Sequence, residues 1–461
     1  MDNKEDLFFD IGKYRNLVDH IEPIKFTGEV IRVKGLSVEC HGPTAVVGEV
    51  CKILLSNGKV ISGEVIGVDK DKTTLMTYDE MEGIQVGDTV IATGEELSVY
   101  VGEHLLGRVL DGVGKDYDGK GLIGSSQIRS IFNQPSDALK RQPIRQPLET
   151  GIKAIDALIT VGKGQRIGIF AGTGVGKSTL LGMIARNTVA DINVIGLIGE
   201  RSRELNEFMH YELGEEGMKK SIIIFASSNK NALCRVRGAY VATTIAEYFR
   251  DQGKDVILMM DSVTRFAMAQ REIGLSLGDP PATKGYTPSV FTQLPKLLER
   301  AGTGEVGTIT GFYTVLVEAD NLNDPIGDAT RGILDGHIVL DRQLAHKNHY
   351  PAIDVLGSVS RLMVKVTGKD HQAKAALFRE LMAEYKKNED LISFGAYAKG
   401  SNPKVDAAIL LKDKMDDFLK QTVEEGYSFQ ETLDELSDIL SPILNANNPK
   451  ENTENYEESI F

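Results

Sequence analysis

The spacing of apolar residues changes character along the chain, and each change predicts a different kind of structure. Within residues 1–22, Leu7, Ile11, Tyr14, Val18 and Ile21 recur every three or four positions. That is one stripe of a short amphipathic helix, read as a partner-binding helix, the alternative being a stripe packed on its own chain. Residues 23–97 carry short β-rich runs at 28–33, 45–50, 59–68 and 73–77, punctuated by turn residues such as Ser56-Asn57-Gly58. This spacing predicts a small β-barrel. Residues 98–370 alternate helical patterns with largely apolar runs at 166–170, 192–198, 222–226, 255–260 and 308–317. Runs apolar on both faces are buried parallel strands, so this stretch predicts a doubly wound α/β core. Residues 371–446 lack strand patterns; Phe378, Leu381, Met382 and Tyr385 sit at helical spacing. Ser428 and Glu431 form a capping box ahead of Leu433, Leu436 and Leu440, so a helical C-terminal domain is expected. Residues 447–461 are polar and acidic and read as a disordered tail. No internal repeat is visible.

Composition narrows the function classes. The 461 residues include 66 Asp and Glu against 52 Lys and Arg, a formal net charge of −14. Neutralising a phosphate backbone needs clustered cations, so nucleic acid is not an expected partner. The barrel segment has no Trp and more acids than bases, which favours a structural collar over a single-strand-binding surface. Cys40, Cys51 and Cys234 are odd in number and lack metal-type spacing, so they read as free thiols of a reducing compartment. The segment Met1-Asp2-Asn3-Lys4-Glu5-Asp6 is acidic, unlike a signal peptide, and no apolar run reaches membrane-spanning length. A cytoplasmic protein with at most peripheral membrane contact is expected.

Candidate chemistry centres on Ala171-Gly172-Thr173-Gly174-Val175-Gly176-Lys177-Ser178-Thr179, between the apolar run ending at Phe170 and a helical pattern from Leu180 to Ala185. A strand that turns through glycines into a helix cradles phosphate, because crowded N–H groups and the helix dipole converge on one anion. Gly172, Thr173, Gly174, Val175, Gly176, Lys177, Ser178 and Thr179 are the expected nucleotide contacts. Lys177 reaches the β/γ-phosphates and Ser178 holds Mg²⁺. Ala171 stands where the strict pattern has Gly. Downstream, Asp255 to Met260 reads as a buried strand that delivers Asp261 to the C-terminal edge of the sheet, placed to orient Mg²⁺. A nucleotide polyphosphate and Mg²⁺ are therefore the expected ligands, and the resemblance below makes the nucleotide ATP.

These segments carry a resemblance to the catalytic subunits of rotary ATPases, and within them to the type III protein-export ATPases, especially the flagellar ones. The matching stretches are Leu106 to Gly112, Gly151 to Asp156, the phosphate loop with its Ala171, Gly199 to Glu204, Asp261 to Ala267, and Pro280 to Phe291. The resemblance implies a RecA-like P-loop core of α/β class with an N-terminal β-barrel and a C-terminal helical domain. It implies that Glu200 polarises the attacking water, that Arg201 and Arg265 line the pocket, and that Glu204 supports them. It implies that Tyr350 stacks near adenine and that Arg361 is an arginine finger. It also implies a homohexamer that hydrolyses ATP to energise protein export. The implied partners are a stator-like regulator, a central stalk protein, an export gate, and export chaperones and substrates.

Rival readings are the ATPase of a virulence injectisome, an ATP-synthase catalytic subunit, an RNA translocase and a non-catalytic nucleotide-binding subunit. The segment Pro280-Pro281-Ala282-Thr283-Lys284-Gly285-Tyr286 and the lack of an acidic Asp-Glu-Leu-Ser-Glu-Glu-Asp element weigh against the synthase. Net charge weighs against the translocase, and Lys177, Glu200 and Asp261 together weigh against a dead subunit.

Overall fold

The structure, a computed structural model, describes residues 25–121, 127–135, 137, 139–317 and 324–447. The expected helix of residues 1–22 and all of the expected tail beyond Asn447 lie outside the described residues; Asn447 itself ends a helix. The chain divides into two units, Met1–Leu97 and Ser98–Phe461.

The first unit is a closed barrel of six antiparallel strands: β1 (Thr27–Lys34), β2 (Ser37–His41), β3 (Glu49–Leu54), β4 (Val60–Asp69), β5 (Lys72–Thr77) and β6 (Thr89–Glu96). Their order is β1-β2-β5-β4-β3-β6, and β6 returns to pair with β1, so no open edge remains. Alternate residues such as Val38 and Cys40, or Cys51 and Ile53, point into the apolar filling. The strand expected at 45–50 is displaced: Ala45–Gly48 is loop and turn, and β3 runs from Glu49 to Leu54. Gly48 turns the chain at φ 96°, and the Glu49 carboxylate accepts the N–H groups of Val46 (3.0 Å) and Gly94 (2.8 Å). Val46 and Val47 therefore face solvent although their sequence looks like strand.

The second unit opens with β7 (Ser98–Tyr100), β8 (Val109–Asp111) and β9 (Ile128–Ser130), of which β7 and β9 pair with each other. The main sheet then takes β10 (Arg166–Ala171), β11 (Ile192–Ile198), β12 (Ser221–Ala226), β13 (Asp255–Asp261), β14 (Gly302–Thr303), β15 (Thr308–Leu316), β16 (Gly336–Leu340) and β17 (Val359–Ser360). The order is β17-β16-β10-β15-β13-β11-β12-β8, parallel from β16 to β8, with β17 antiparallel at one edge and β14 antiparallel to β15. Every residue of β11 and β12 is buried, which is why both read as largely apolar runs, broken only by the buried Asn193 and Ser221. The C-terminal ends of β10, β13 and β15 lie side by side, where open α/β sheets bind ligands.

Beyond β17 only helices follow among the described residues, chiefly Lys369–Ser393, Pro403–Leu419 and Phe429–Asn447. Asn402 caps the second of these by accepting Lys404 N–H (3.0 Å), with Pro403 at the first helical position. Ser428 and Glu431 form the expected capping box of the third, with Ser428 N donating to Glu431 Oε2 at 2.9 Å. The helices share one apolar core with the helix Lys153–Leu158, to which Phe378, Phe418, Leu436 and Leu440 contribute. Among the described residues, no helix is long and apolar enough to cross a membrane.

Candidate active site

The phosphate loop leaves β10 at Ala171 and enters the helix Lys177–Asn187. Gly174 and Gly176 hold φ of 76° and 90°, left-handed values that an L side chain resists. The first intrahelical bond here is donated by Leu180 to Gly176 O, so the N–H groups of Lys177, Ser178 and Thr179 precede it and point out of the helix start. The Ser178 hydroxyl is exposed, whereas Thr179 turns its hydroxyl to Glu212 Oε1 (3.0 Å). Glu212 lies in a π-helical turn, Phe208–Leu213, and that extra residue per turn hid it from a helix-period reading.

Sheet register brings the charged groups together. β15 lies between β10 and β13, and Leu197 of β11 pairs with Asp261 of β13, so Glu200 emerges beside Asp261. Lys177 Nζ donates to Asp261 Oδ1 and stands 3.8 Å from Glu200 Oε1. The buried Thr314 hydroxyl, on the intervening strand, donates to the same Asp261 oxygen at 2.7 Å. Sequence reading missed Thr314; its only signal is a threonine near the end of an otherwise apolar buried run.

Glu200 Oε1 is buried without a hydrogen-bond partner. Burial first, then the negative charges of Asp261 and Glu204, push the Glu200 carboxyl up to about 8 against the pull of Lys177. Glu204 moves the other way, held below the usual glutamate range by its interaction with Glu200, then by the Arg201 N–H and by Lys177. The two neighbouring carboxyls are thus pushed in opposite directions. Arg201 is exposed at the start of the helix Ser202–Glu207. Arg265 packs its stem on Gly199, where a Cβ would stand 2.9 Å from Arg265 Cβ, and its Nε is buried without a partner.

Tyr350 is 41% exposed and faces the loop from the other side: a Cβ on Gly176 would lie 3.6 Å from its ring. Tyr350 and Pro351 line an open cleft of about 510 Å³ with Gly176, Leu180, Met183 and the loop 420–425. The sequence pointed to Tyr350 but not to this loop, which has no periodic signature.

Arg361 is not with the others. Its guanidinium donates to the carbonyls of Arg331 and Leu334, both at 3.2 Å, and its N–H to Asp335 O. Asp335 in turn accepts the N–H of Arg166, the first residue of β10. Arg361 therefore sits at the opposite end of β10 from the phosphate loop, about 20 Å away along the strand.

The donor set fits a triphosphate and Mg²⁺. Outward N–H groups and one lysine suit phosphate oxygens. Among the described residues no cluster of three or more metal-binding side chains exists. Mg²⁺ in nucleotide sites takes one or two protein oxygens plus phosphates and water, a role open to Ser178 and Asp261.

The nucleotide-binding domain of the ATP synthase alpha/beta family matches residues 151–360, and its beta-barrel domain matches residues 30–94. The T3SS EscN ATPase C-terminal domain matches residues 367–438. The flagellum-specific ATP synthase of Treponema pallidum is 52% identical over 92% of this chain and 95% of its own. The assembled ATPase EscN of the enteropathogenic E. coli type III secretion system superposes with a TM-score of 0.86 at 46% identity, covering 90% of this chain and all of EscN. EscN in complex with its central stalk EscO gives a TM-score of 0.84 at 44% identity over the same shares.

Proposed function

The chain belongs to the ATP synthase alpha/beta family, among the flagellum-specific ATP synthases and type III secretion ATPases, and from that premise we propose how its residues hydrolyse ATP to drive protein export. The observation that carries the reading is the meeting of Lys177, Asp261 and Glu200 at the phosphate loop, with Glu200 Oε1 buried and unpartnered.

The N–H groups from Gly174 to Thr179 hold the β- and γ-phosphates, and Lys177 exchanges Asp261 for phosphate oxygen when nucleotide enters. Ser178 and Asp261 hold Mg²⁺, which neutralises charge on the phosphates when bound. Thr314 keeps the Asp261 carboxylate in its rotamer. Glu200 Oε1 accepts a hydrogen bond from the attacking water and orients it in line with the γ-phosphate. Arg265 and Arg201 add positive charge on that side. Tyr350 and Pro351 offer the base an apolar face. Arg361 lies too far from its own phosphate loop to help there, which supports a role in the site of a neighbouring copy.

The copies form a homohexamer around a stalk protein, as the likeness to EscN suggests. A regulator on the segment 1–22, an export gate, and chaperones with their substrates complete the set of partners. The complex sits peripherally on the inner face of the cell membrane. The likeness to EscN favours, as a second reading, the injectisome version of the same motor.

A chromosomal Lys177→Ala allele in the host separates the two. Loss of hook and filament proteins from the culture supernatant, with the variant stably present, supports the flagellar reading. Loss of needle proteins alone supports the injectisome, and undiminished secretion of both contradicts an export role.

A further inference from the structure

Gln421 is the second residue of the loop between the helices Pro403–Leu419 and Phe429–Asn447 and is 5% exposed. Its side-chain amide is bonded in three directions. Oε1 accepts the Lys153 N–H at 3.1 Å, and Nε2 donates to Gly151 O at 2.7 Å and to Glu425 O at 2.9 Å. Its backbone N–H donates to Tyr350 O at 2.9 Å. One residue thus ties three segments: the strap at 151–153, the tyrosine beside the phosphate loop, and the far end of its own loop.

The same loop is tied to the phosphate-loop helix. Arg186 Nη2 donates to Val423 O at 2.6 Å, and Asn187 Nδ2 donates to Glu425 O at 3.1 Å. Residues 420–425 form one wall of the cleft that Tyr350 and Pro351 also line. A loop with no regular structure of its own is held as such a wall largely by bonds of this kind, together with the packing of Val423 on the core. Removing both Nε2 donors frees the Glu425 carbonyl from one of its partners and leaves Gly151 O without its bond to Gln421.

We propose that Gln421 is a positioning residue that fixes the distance between Tyr350 and the 422–425 wall, and so sets affinity for the nucleoside half of the nucleotide without touching the phosphates. The proposal rests on the reading of the Tyr350 cleft as the base site. It separates two parts of binding that reside on different elements: the phosphate grip on the loop 172–179, and the base grip on a loop contributed by the C-terminal helices.

The test is isothermal titration calorimetry with ADP and with inorganic pyrophosphate, both with Mg²⁺, on the full chain. The variants are Gln421→Met, which keeps length and removes every polar atom, and Gln421→Glu, which keeps Oε1 and faces two carbonyls with an acceptor. Losing a buried hydrogen-bonding group is expected to weaken ADP about tenfold, and pyrophosphate not at all. The KM for ATP rises correspondingly while kcat at saturation holds. Asn187→Ala, which removes a second tie on Glu425 O at a more exposed position, moves ADP affinity in the same direction and serves if the Gln421 variants misfold. Tyr350→Ala is measured alongside. If Tyr350→Ala weakens ADP and the Gln421 and Asn187 variants do not, the positioning role is wrong. If ADP and pyrophosphate weaken equally, Gln421 supports the whole domain rather than the base wall, which also overturns it. If none of the variants moves ADP, the cleft is not the base site and the proposal falls with that reading.

Discussion

Glu200 and Glu204 lie four residues apart, yet their carboxyls are driven in opposite directions, one up by burial and Asp261, the other down by its neighbours. That split suits a division of labour in which one group receives a hydrogen bond from water and the other stays a fixed anion. Glu200→Gln keeps the shape but accepts hydrogen bonds more weakly and takes no proton. It is expected to bind ATP normally and to lose roughly 10²–10⁴-fold in turnover. Normal turnover per bound ATP in a single-turnover assay would make Glu200 a structural residue. Thr314→Val removes only a hydroxyl whose bond goes to an ionised group. Such bonds are worth about 1.5–3 kcal/mol, so the Mg²⁺ concentration for half-maximal rate is expected to rise roughly tenfold or more. Thr314→Ser restores it; an unchanged Mg²⁺ titration in Thr314→Val contradicts the role. Lys177, Ser178 and Asp261 were legible because strand, glycine loop and helix stand in sequence order. Thr314 and Glu212 were not, since one acts across a strand register and the other across a π-turn, neither of which a linear pattern encodes.

At the scale of elements, burial on both faces made β10 to β13 and β15 readable, while β2 and β6 escaped because short barrel strands exposed on one side mix Thr, Ser and Glu into their alternation. The run at 45–50 misled because β propensity cannot see that Gly48 turns the chain. The C-terminal helices were legible from their periodicity and the Ser428–Glu431 box, but their docking was not. That docking uses His371, whose Nε2 meets Ala157 O at 2.7 Å and whose ring packs edge-on against Phe429. Burial lowers the His371 pKa below its ordinary 6.5, against the pull of Ala157 O and Asp370, with Lys374 adding to the drop. The unfolded chain then binds the extra proton more readily than the folded one. Stability from this group is full above about pH 6.5 and falls as the pH drops through that value. His337 and His349 shift in the same direction and add to the slope. Glu200, pushed up to about 8, contributes the opposite slope over this range, so the histidine is read as a difference: the Tm of the unsubstituted protein minus that of His371→Gln is expected to shrink as the pH drops from about 7.5 to 5. An identical slope in that variant removes His371 from the explanation.

On the proposed reading, the molecule carries the two halves of a shared site at two separate places. The phosphate loop lies at the C-terminal end of β10, and Arg361 lies at the other end, bonded to Arg331 and Leu334. A single copy cannot bring them together without dismantling its own sheet, so on the proposed reading of Arg361 hydrolysis depends on assembly. An arginine that meets the γ-phosphoryl charge in the transition state is worth roughly 10³–10⁵ in rate. Specific activity is therefore expected to climb with protein concentration as copies associate. The most direct measurement mixes two inactive variants, Lys177→Ala and Arg361→Ala, under conditions where subunits exchange, and follows ATP hydrolysis. In a mixed ring some sites pair an intact Lys177 with the intact Arg361 of the adjoining copy, so activity rises above that of either variant alone. Mixed rings verified by differential tagging that stay inactive, or an isolated single copy that hydrolyses ATP at the full rate, would contradict a site shared between copies.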